Sequence, residues 1–175
     1  MIHLRDWEYG TEPTWDSFKL ITTADFPTDT EPTSPPVSDD STNAWAGKSV
    51  QDVENYVMEL EKTGKYRDLN AHHPIILDDH GLIDGTCVLL SRAYQDEPFE
   101  ELDRFVKTRL PWNETHIMWA NLDIANMDFE EYCNQDKGDV GDGWWEYESV
   151  GDEDSEKVRE LRSAALEALE ESGHA

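Results

Sequence analysis

Histidine and aspartate are concentrated in one short segment of this chain, AHHPIILDDHGLIDG, residues 71–85. Imidazole and carboxylate groups bind zinc and other divalent ions, and an ion held by three such ligands can activate water at its open position. Strand alternation would place Asp78 and His80 on one side of the chain, with Asp84 reaching back across a loop. The segment is thus either a metal site formed by these three residues or a polar loop in which Asp and Gly supply turn geometry. The loop is favoured, because no second ligand pair appears at a recognised spacing.

The same segment supplies the candidate catalytic residues of a small enzyme, a hydrolase or an isomerase with a tryptophan-lined pocket for a small molecule. These candidates are His73, Asp79, His80 and Asp84. Adjacent acids, as at 78–79 and 130–131, do not face each other on a strand or a helix, so they do not predict a general acid and base pair. No phosphate-binding glycine loop and no nucleophile elbow is visible, and no cofactor is expected.

Three aspartates recur at intervals of three in DKGDVGDGWWE, namely Asp136, Asp139 and Asp142. A helix-loop-helix calcium site instead alternates its acids at its first, third and fifth positions before a glycine. The spacing does not match, so we interpret the segment as a solvated loop. Its glycines would let Trp144 and Trp145 fold back on the domain.

The chain contains seven tryptophans, which is many for so acidic a protein. Several of them lie in weakly patterned segments. There, aromatic side chains either cover a small core or anchor an interface by filling a pocket of a partner. If they anchor an interface, the candidate binding residues are Trp45, Trp144, Trp145 and Tyr147.

Hydrophobic periodicity indicates the elements that must position these residues. Alternating and buried apolar runs predict strands near 18–23, 74–78, 86–91 and 104–110, the middle two joined as a hairpin by a polar loop. Helical spacing predicts α-helix over 49–63, capped by Ser49 and ended by Gly64, and over 114–133 in two parts after an Asn113 cap. The expected fold class is α+β, a small β-sheet covered by helices.

The most distinctive stretch, NLDIANMDFEEYC, residues 121–133, has a packing explanation. Its apolar side chains are expected to point inward: Leu122, Ile124, Met127, Phe129 and Tyr132. Its acids are expected to face solvent or to cap the second part of the helix.

The chain divides by composition into two parts. Residues 1–150 are predicted to form a single α+β domain, interrupted by a flexible loop at 24–44 that is rich in Pro, Ser and Thr. Residues 151–175 are predicted to form an acidic C-terminal helix with a narrow apolar stripe.

The net charge limits the partners of the protein. Forty acidic residues against 14 basic ones give a formal net charge of -26, which repels nucleic acid and anionic membranes and attracts a basic protein surface. No signal peptide or transmembrane segment is recognisable, so we expect a cytoplasmic protein. Cys87 and Cys133 are expected to be reduced, buried thiols.

Residues 49–133 contain the motif IANMDFEEY, preceded by ILDDHGLIDGTCVLLSR and by the junction RLPW. On these motifs the chain resembles a family of uncharacterised proteins of actinobacteria and filamentous fungi, a domain of unknown function. That resemblance implies a shared fold and carries no catalytic residue.

The sequence as a whole favours a strongly acidic, non-enzymatic binding module of the inhibitor, immunity or mimic type, which associates with a basic protein partner. The alternative is the small enzyme with a site around residues 73–84. A third interpretation is that the acidity reflects a salt-loving host, in which case acids would be spread evenly over the surface.

Overall fold

The structure is a computed structural model. It describes residues 18–29, 31–33, 43–64, 69, 71–96 and 99–149. The predicted C-terminal helix therefore lies outside the described residues, as does part of the predicted loop at 24–44.

A four-stranded mixed sheet forms the centre of the domain, with the strand order β1-β2-β3-β4. The strands are β1 Ile75–Ile76, β2 Thr86–Asp96, β3 Phe99–Pro111 and β4 Trp144–Trp145. The first three are antiparallel neighbours, and β4 runs parallel to β3. The predicted α+β fold and the predicted pairing of the two middle strands are confirmed.

Within the described ranges, three α-helices accompany the sheet: α1 Val50–Lys62, α2 Asp79–Asp84 and α3 Trp112–Asp123. A 3₁₀-helix, Phe129–Tyr132, follows α3. Helix α1 begins at the predicted Ser49 cap, where Ser49 and Asp52 satisfy each other's backbone N–H groups in a capping box. A capping box at Asp128 starts the 3₁₀-helix in the same way.

The two faces of the sheet carry separate apolar clusters. On one face Val88, Leu90 and Phe105 pack against Val57 of α1. The larger cluster covers the other face, where strand residues meet α3 and the 3₁₀-helix. It includes Leu89, Val106, Leu110, Met118, Leu122, Phe129 and Tyr132. The alternation predicted for residues 104–110 is confirmed, since Phe105 and Val106 fall in different clusters.

A buried ion pair joins α1 to the sheet. Lys107 and Glu54 are each 4% exposed, and Lys107 Nζ lies 2.5 Å from Glu54 Oε1. Lys107 lies beside Phe105 on the α1 face, and Glu54 lies one turn before Val57 on the same stripe of α1. Apolar periodicity predicts the helix over 49–63 but does not predict that the charged residue Glu54 is buried.

The predicted strand at 18–23 is wrong. These residues hold no strand pairing; instead, the carbonyls of Phe18 and Thr22 accept hydrogen bonds from the backbone N–H groups of Thr33 and Ala44. The Phe18 ring packs edge-to-face on Trp119 at 5.1 Å. The fourth strand of the sheet is instead β4, in the segment 136–146 for which the sequence predicts a loop.

Three further boundaries differ from the prediction. The polar loop between the hairpin strands contains α2, which Asp78 caps and which ends at Gly85 in the left-handed conformation. Helix α3 begins at Trp112 rather than after Asn113, and its N-cap is Pro111, which is also the last residue of β3 and has an extended backbone. Ile124 is 71% exposed, because the helix has ended and the chain turns at Ala125 with positive φ.

Candidate functional site

A β-bulge between β2 and β3 shapes one end of the sheet. Arg92 pairs with Phe105, but Tyr94 pairs with Glu101, so the register shifts between these two positions. In an uninterrupted ladder Tyr94 would lie opposite Asp103. Bulges bend a strand and re-aim its side chains. Here the bulge places Glu101 beside Arg92, on the end of the sheet that faces the C-terminal turn of α1.

His72 reaches the same place by extending the register of β1. The Arg92 backbone N–H donates to the His72 carbonyl at 2.9 Å, and the Leu90 N–H donates to the Pro74 carbonyl at 2.9 Å. These bonds continue the β1–β2 pairing beyond Ile75. Because side chains alternate along a strand, His72 falls on the α1 face and His73 on the α3 face.

Three side chains converge at this end of the sheet, and we call Glu61, His72 and Glu101 the histidine–carboxylate cluster. One ligand atom of each lies within 4.8 Å of the others, and among the described residues no other trio of His, Cys, Asp or Glu meets this condition. His72 Nε2 lies 3.3 Å from Glu61 Oε1. His72 Nδ1 lies 3.2 Å from the Tyr94 hydroxyl.

Arg92 lies beneath the cluster and fixes its carboxylates. Its side chain is 3% exposed, and its guanidinium stacks over the Phe105 ring at 4.7 Å. Arg92 Nη2 bonds to Glu61 Oε2, and Arg92 Nε lies 2.7 Å from Glu101 Oε1. Arg92 Nη1 is buried and has no hydrogen-bond partner among the described residues. A buried cation requires such counter-charges, so an arginine in a buried strand was the sequence signal for this cluster.

His73, a predicted catalytic candidate, lies on the opposite face. Its Nδ1 is 3.2 Å from the hydroxyl oxygen of Ser91, which is itself buried. Burial lowers the pKa of His73 to about 4, aided by the nearby His72 and opposed by Asp123. His73 is therefore neutral at pH 7, and its geometry is that of a core hydrogen bond.

We expect the free energy of unfolding to fall as the pH is lowered from about 6.5 towards 4. In the unfolded chain His73 takes up a proton near its ordinary pKa, whereas in the folded protein it does so only at about 4. In this window the unfolded state binds more protons and is stabilised. Urea unfolding at several pH values should show a shallower pH slope in His73→Gln than in the unmodified protein.

His80→Gln is the matched control for this experiment, since the His80 side chain is 68% exposed. It should keep the slope of the unmodified protein. Equal slopes in His73→Gln and the unmodified protein would contradict the assignment.

The other predicted site residues lie in α2 or at its N-cap. Asp78 accepts the Gly81 N–H as the cap of α2 and binds Arg109 in a two-point ion pair, which holds the pKa of the Asp78 carboxyl below its usual range. His80 Nδ1 lies 3.2 Å from Asp84 Oδ2 on the exposed side of α2, and Asp79 is also exposed. The structure does not bring Asp78, His80 and Asp84 together as a three-ligand set.

The candidate binding aromatics are each about half-buried. Trp144 packs against the cluster under α1, with Lys107 Nζ 5.8 Å from its ring, and Trp145 packs against the larger cluster. Tyr147 donates to Glu114 at 2.6 Å, and Trp45 packs edge-to-face on Tyr56 at 4.8 Å. The prediction that Trp144 and Trp145 fold back on the domain agrees with these contacts. Their role in an interface stays a prediction.

Both cysteines are buried free thiols, as expected. Burial raises the pKa of Cys87 to about 11 and that of Cys133 to about 12. Each thiol is therefore protonated at pH 7 and a poor nucleophile.

An acidic groove of about 380 Å³ lies beside the 3₁₀-helix. Its walls are held by backbone hydrogen bonds of 2.8 Å, from Asn134 to Glu146 and from Glu148 to Tyr132. The groove is lined by Glu131, Cys133, Asn134, Gln135, Asp136, Glu148 and Ser149. Its three carboxylates have no cation at ion-pair distance among the described side chains.

Compared with models of protein families, with curated proteins and with solved structures, the chain gives no match. The family resemblance stays a prediction. Within the described ranges, no helix combines the length and the apolar character needed to cross a membrane.

Proposed function

We propose that this protein is a strongly acidic, non-enzymatic binding module that associates with a basic protein partner through the acidic groove. The observation that carries this proposal is that the basic side chains pair with carboxylates of the same chain. Most lysine and arginine side chains of the described residues are engaged within the chain: Lys19, Lys62, Arg92, Lys107, Arg109 and Lys137 each pair with a carboxylate.

Carboxylates that pair with no cation among the described side chains can then act on a partner, and Glu131 is one of them although its Oε2 accepts the Asp128 N–H. Glu131, Asp136 and Glu148 converge on a groove whose other lining groups include the polar side chains of Asn134, Gln135 and Ser149. Such a concave, unneutralised surface suits a lysine or arginine side chain, because the carboxylates supply charge and the amides supply further hydrogen bonds. Complementary charge also accelerates encounter with a basic surface.

The test uses three charge reversals in the groove, Glu131→Lys, Asp136→Lys and Glu148→Lys, made together in the full chain. Tagged protein is used to recover and identify a partner from native cells. Affinity for that purified partner is then measured at low and high salt. We expect the groove variant to bind at least tenfold more weakly, and the unmodified complex to weaken as salt rises, since salt screens exposed charges.

A matched control reverses three exposed carboxylates on other elements, Asp79→Lys, Glu100→Lys and Asp103→Lys. It changes the net charge equally and should bind far better than the groove variant. An equal loss in both variants would instead support a diffuse, habitat-related acidity. An affinity that changes neither with salt nor with the charge reversals in the groove would contradict the proposal.

A further inference from the structure

The histidine–carboxylate cluster has the donor chemistry of a metal centre. One imidazole and two carboxylates are ligands that zinc accepts, and three protein ligands leave an open position. We propose that Glu61, His72 and Glu101 bind a divalent transition-metal ion of the zinc class. This site is separate from the acidic groove and does not depend on the proposed function.

The spacing of the first two ligands already suits zinc. Zinc binds nitrogen and oxygen at about 2.0–2.2 Å, so two ligands of a tetrahedral ion are separated by about 3.3–3.5 Å. His72 Nε2 and Glu61 Oε1 are 3.3 Å apart. The distance between these two atoms therefore already matches that of two ligands on one zinc ion.

The third ligand can approach by a side-chain movement alone. Its ligand atom lies within 4.8 Å of the other two, and the Glu101 side chain is 39% exposed. Arg92 Nε is close to Glu101 Oε1, yet the two groups are not aligned as a hydrogen bond. The Glu101 carboxylate therefore lies near the site, and no hydrogen bond to Arg92 prevents it from turning towards an ion.

The groups around the cluster match those that support metal ligands elsewhere. A metal-binding histidine usually donates its other ring N–H to an oxygen, and ligating carboxylates usually accept a second hydrogen bond. The Tyr94 hydroxyl is 3.2 Å from His72 Nδ1 and can accept that N–H. Arg92 binds Glu61 Oε2, and the other oxygen of this carboxylate, Oε1, lies next to His72.

The charge of the cluster also suits a divalent ion. A metal-binding imidazole is neutral, and among the described side chains of the cluster two carboxylates then face one guanidinium. Arg92 occupies one oxygen of each carboxylate, and a carboxylate has two. A divalent ion can thus bind the remaining oxygens while Arg92 keeps its own contacts.

The experiment is a calorimetric zinc titration of the full chain after removal of metal by a chelator. We expect one zinc per chain and an increase in melting temperature on binding. His72→Ala should weaken zinc binding at least 100-fold. Glu101→Gln, which keeps the size of the side chain but removes its charge, should also weaken it, and Tyr94→Phe should weaken it about tenfold.

His80→Ala is the matched control. His80 and Asp84 also place an imidazole 3.2 Å from a carboxylate, but the described residues provide no third ligand there. This variant should bind zinc as the unmodified protein does, and cobalt should give the absorption bands of a tetrahedral ion that His72→Ala lacks. No stoichiometric zinc, or equal losses in the His72 and His80 variants, would overturn the proposal. Neither result depends on a protein partner being found.

Discussion

Replacing Lys107 with methionine is expected to lower the free energy of unfolding by about 3–5 kcal/mol. The substitution preserves most of the side-chain volume but leaves Glu54 buried between α1 and the sheet without its cation. An uncompensated carboxylate in the interior loses its hydration and gains nothing in exchange. Urea unfolding followed by circular dichroism measures the change.

The control variants separate the charge effect from the packing effect. Glu54→Leu combined with Lys107→Met removes both charges and should recover most of the loss, because an apolar pair can replace a buried ion pair. Lys62→Met breaks only the exposed pair with Glu59 and should leave stability nearly unchanged. If Lys107→Met is as mild as Lys62→Met, the pair does not have the role assigned to it.

Replacing Gly143 with alanine is expected to cost roughly 2–4 kcal/mol. Gly143 has a φ of 77°, and an added Cβ would lie 2.5 Å from the Phe105 carbonyl oxygen. The Gly143 carbonyl also accepts the Lys107 N–H at 2.7 Å, which starts the pairing of β4 with β3. Urea unfolding followed by circular dichroism measures the change in stability.

Gly138→Ala provides the comparison. Gly138 has a φ of 60°, but no atom lies within 4 Å of a Cβ placed there. This variant measures only the free-energy cost of a Cβ at positive φ, which should be about 1 kcal/mol. Equal effects at the two glycines would mean that the approach to Phe105 contributes nothing.

Several features were predictable because they depend on neighbours in sequence. The Ser49 capping box needs only Ser49 and Asp52, and α1 begins where it predicts. Alternation alone assigned Phe105 and Val106 to opposite faces of β3, as the two clusters confirm.

Other features were not predictable because a distant segment decides them. Strand β4 has only two residues in a glycine-rich loop, and it exists because β3 offers it a free edge. Conversely, residues 18–23 alternate like a strand, but their backbone groups bond to residues 33 and 44 instead of to the sheet. Local pattern shows what a segment can form, and the available partner decides whether it does.

The same distinction, between what the sequence predicts and what distant segments decide, applies to the candidate sites. Composition alone established the acidity of the protein, because charge is a sum over residues and is independent of their positions. The sequence pointed to the crowded segment 71–85 for metal chemistry, since ligands adjacent in sequence are easily noticed. The structure gathers Glu61, His72 and Glu101 from a helix end, the extension of β1 and the bulged strand β3. Only the tertiary structure decides this, because the bulge and the pairing register determine which distant side chains share one end of the sheet.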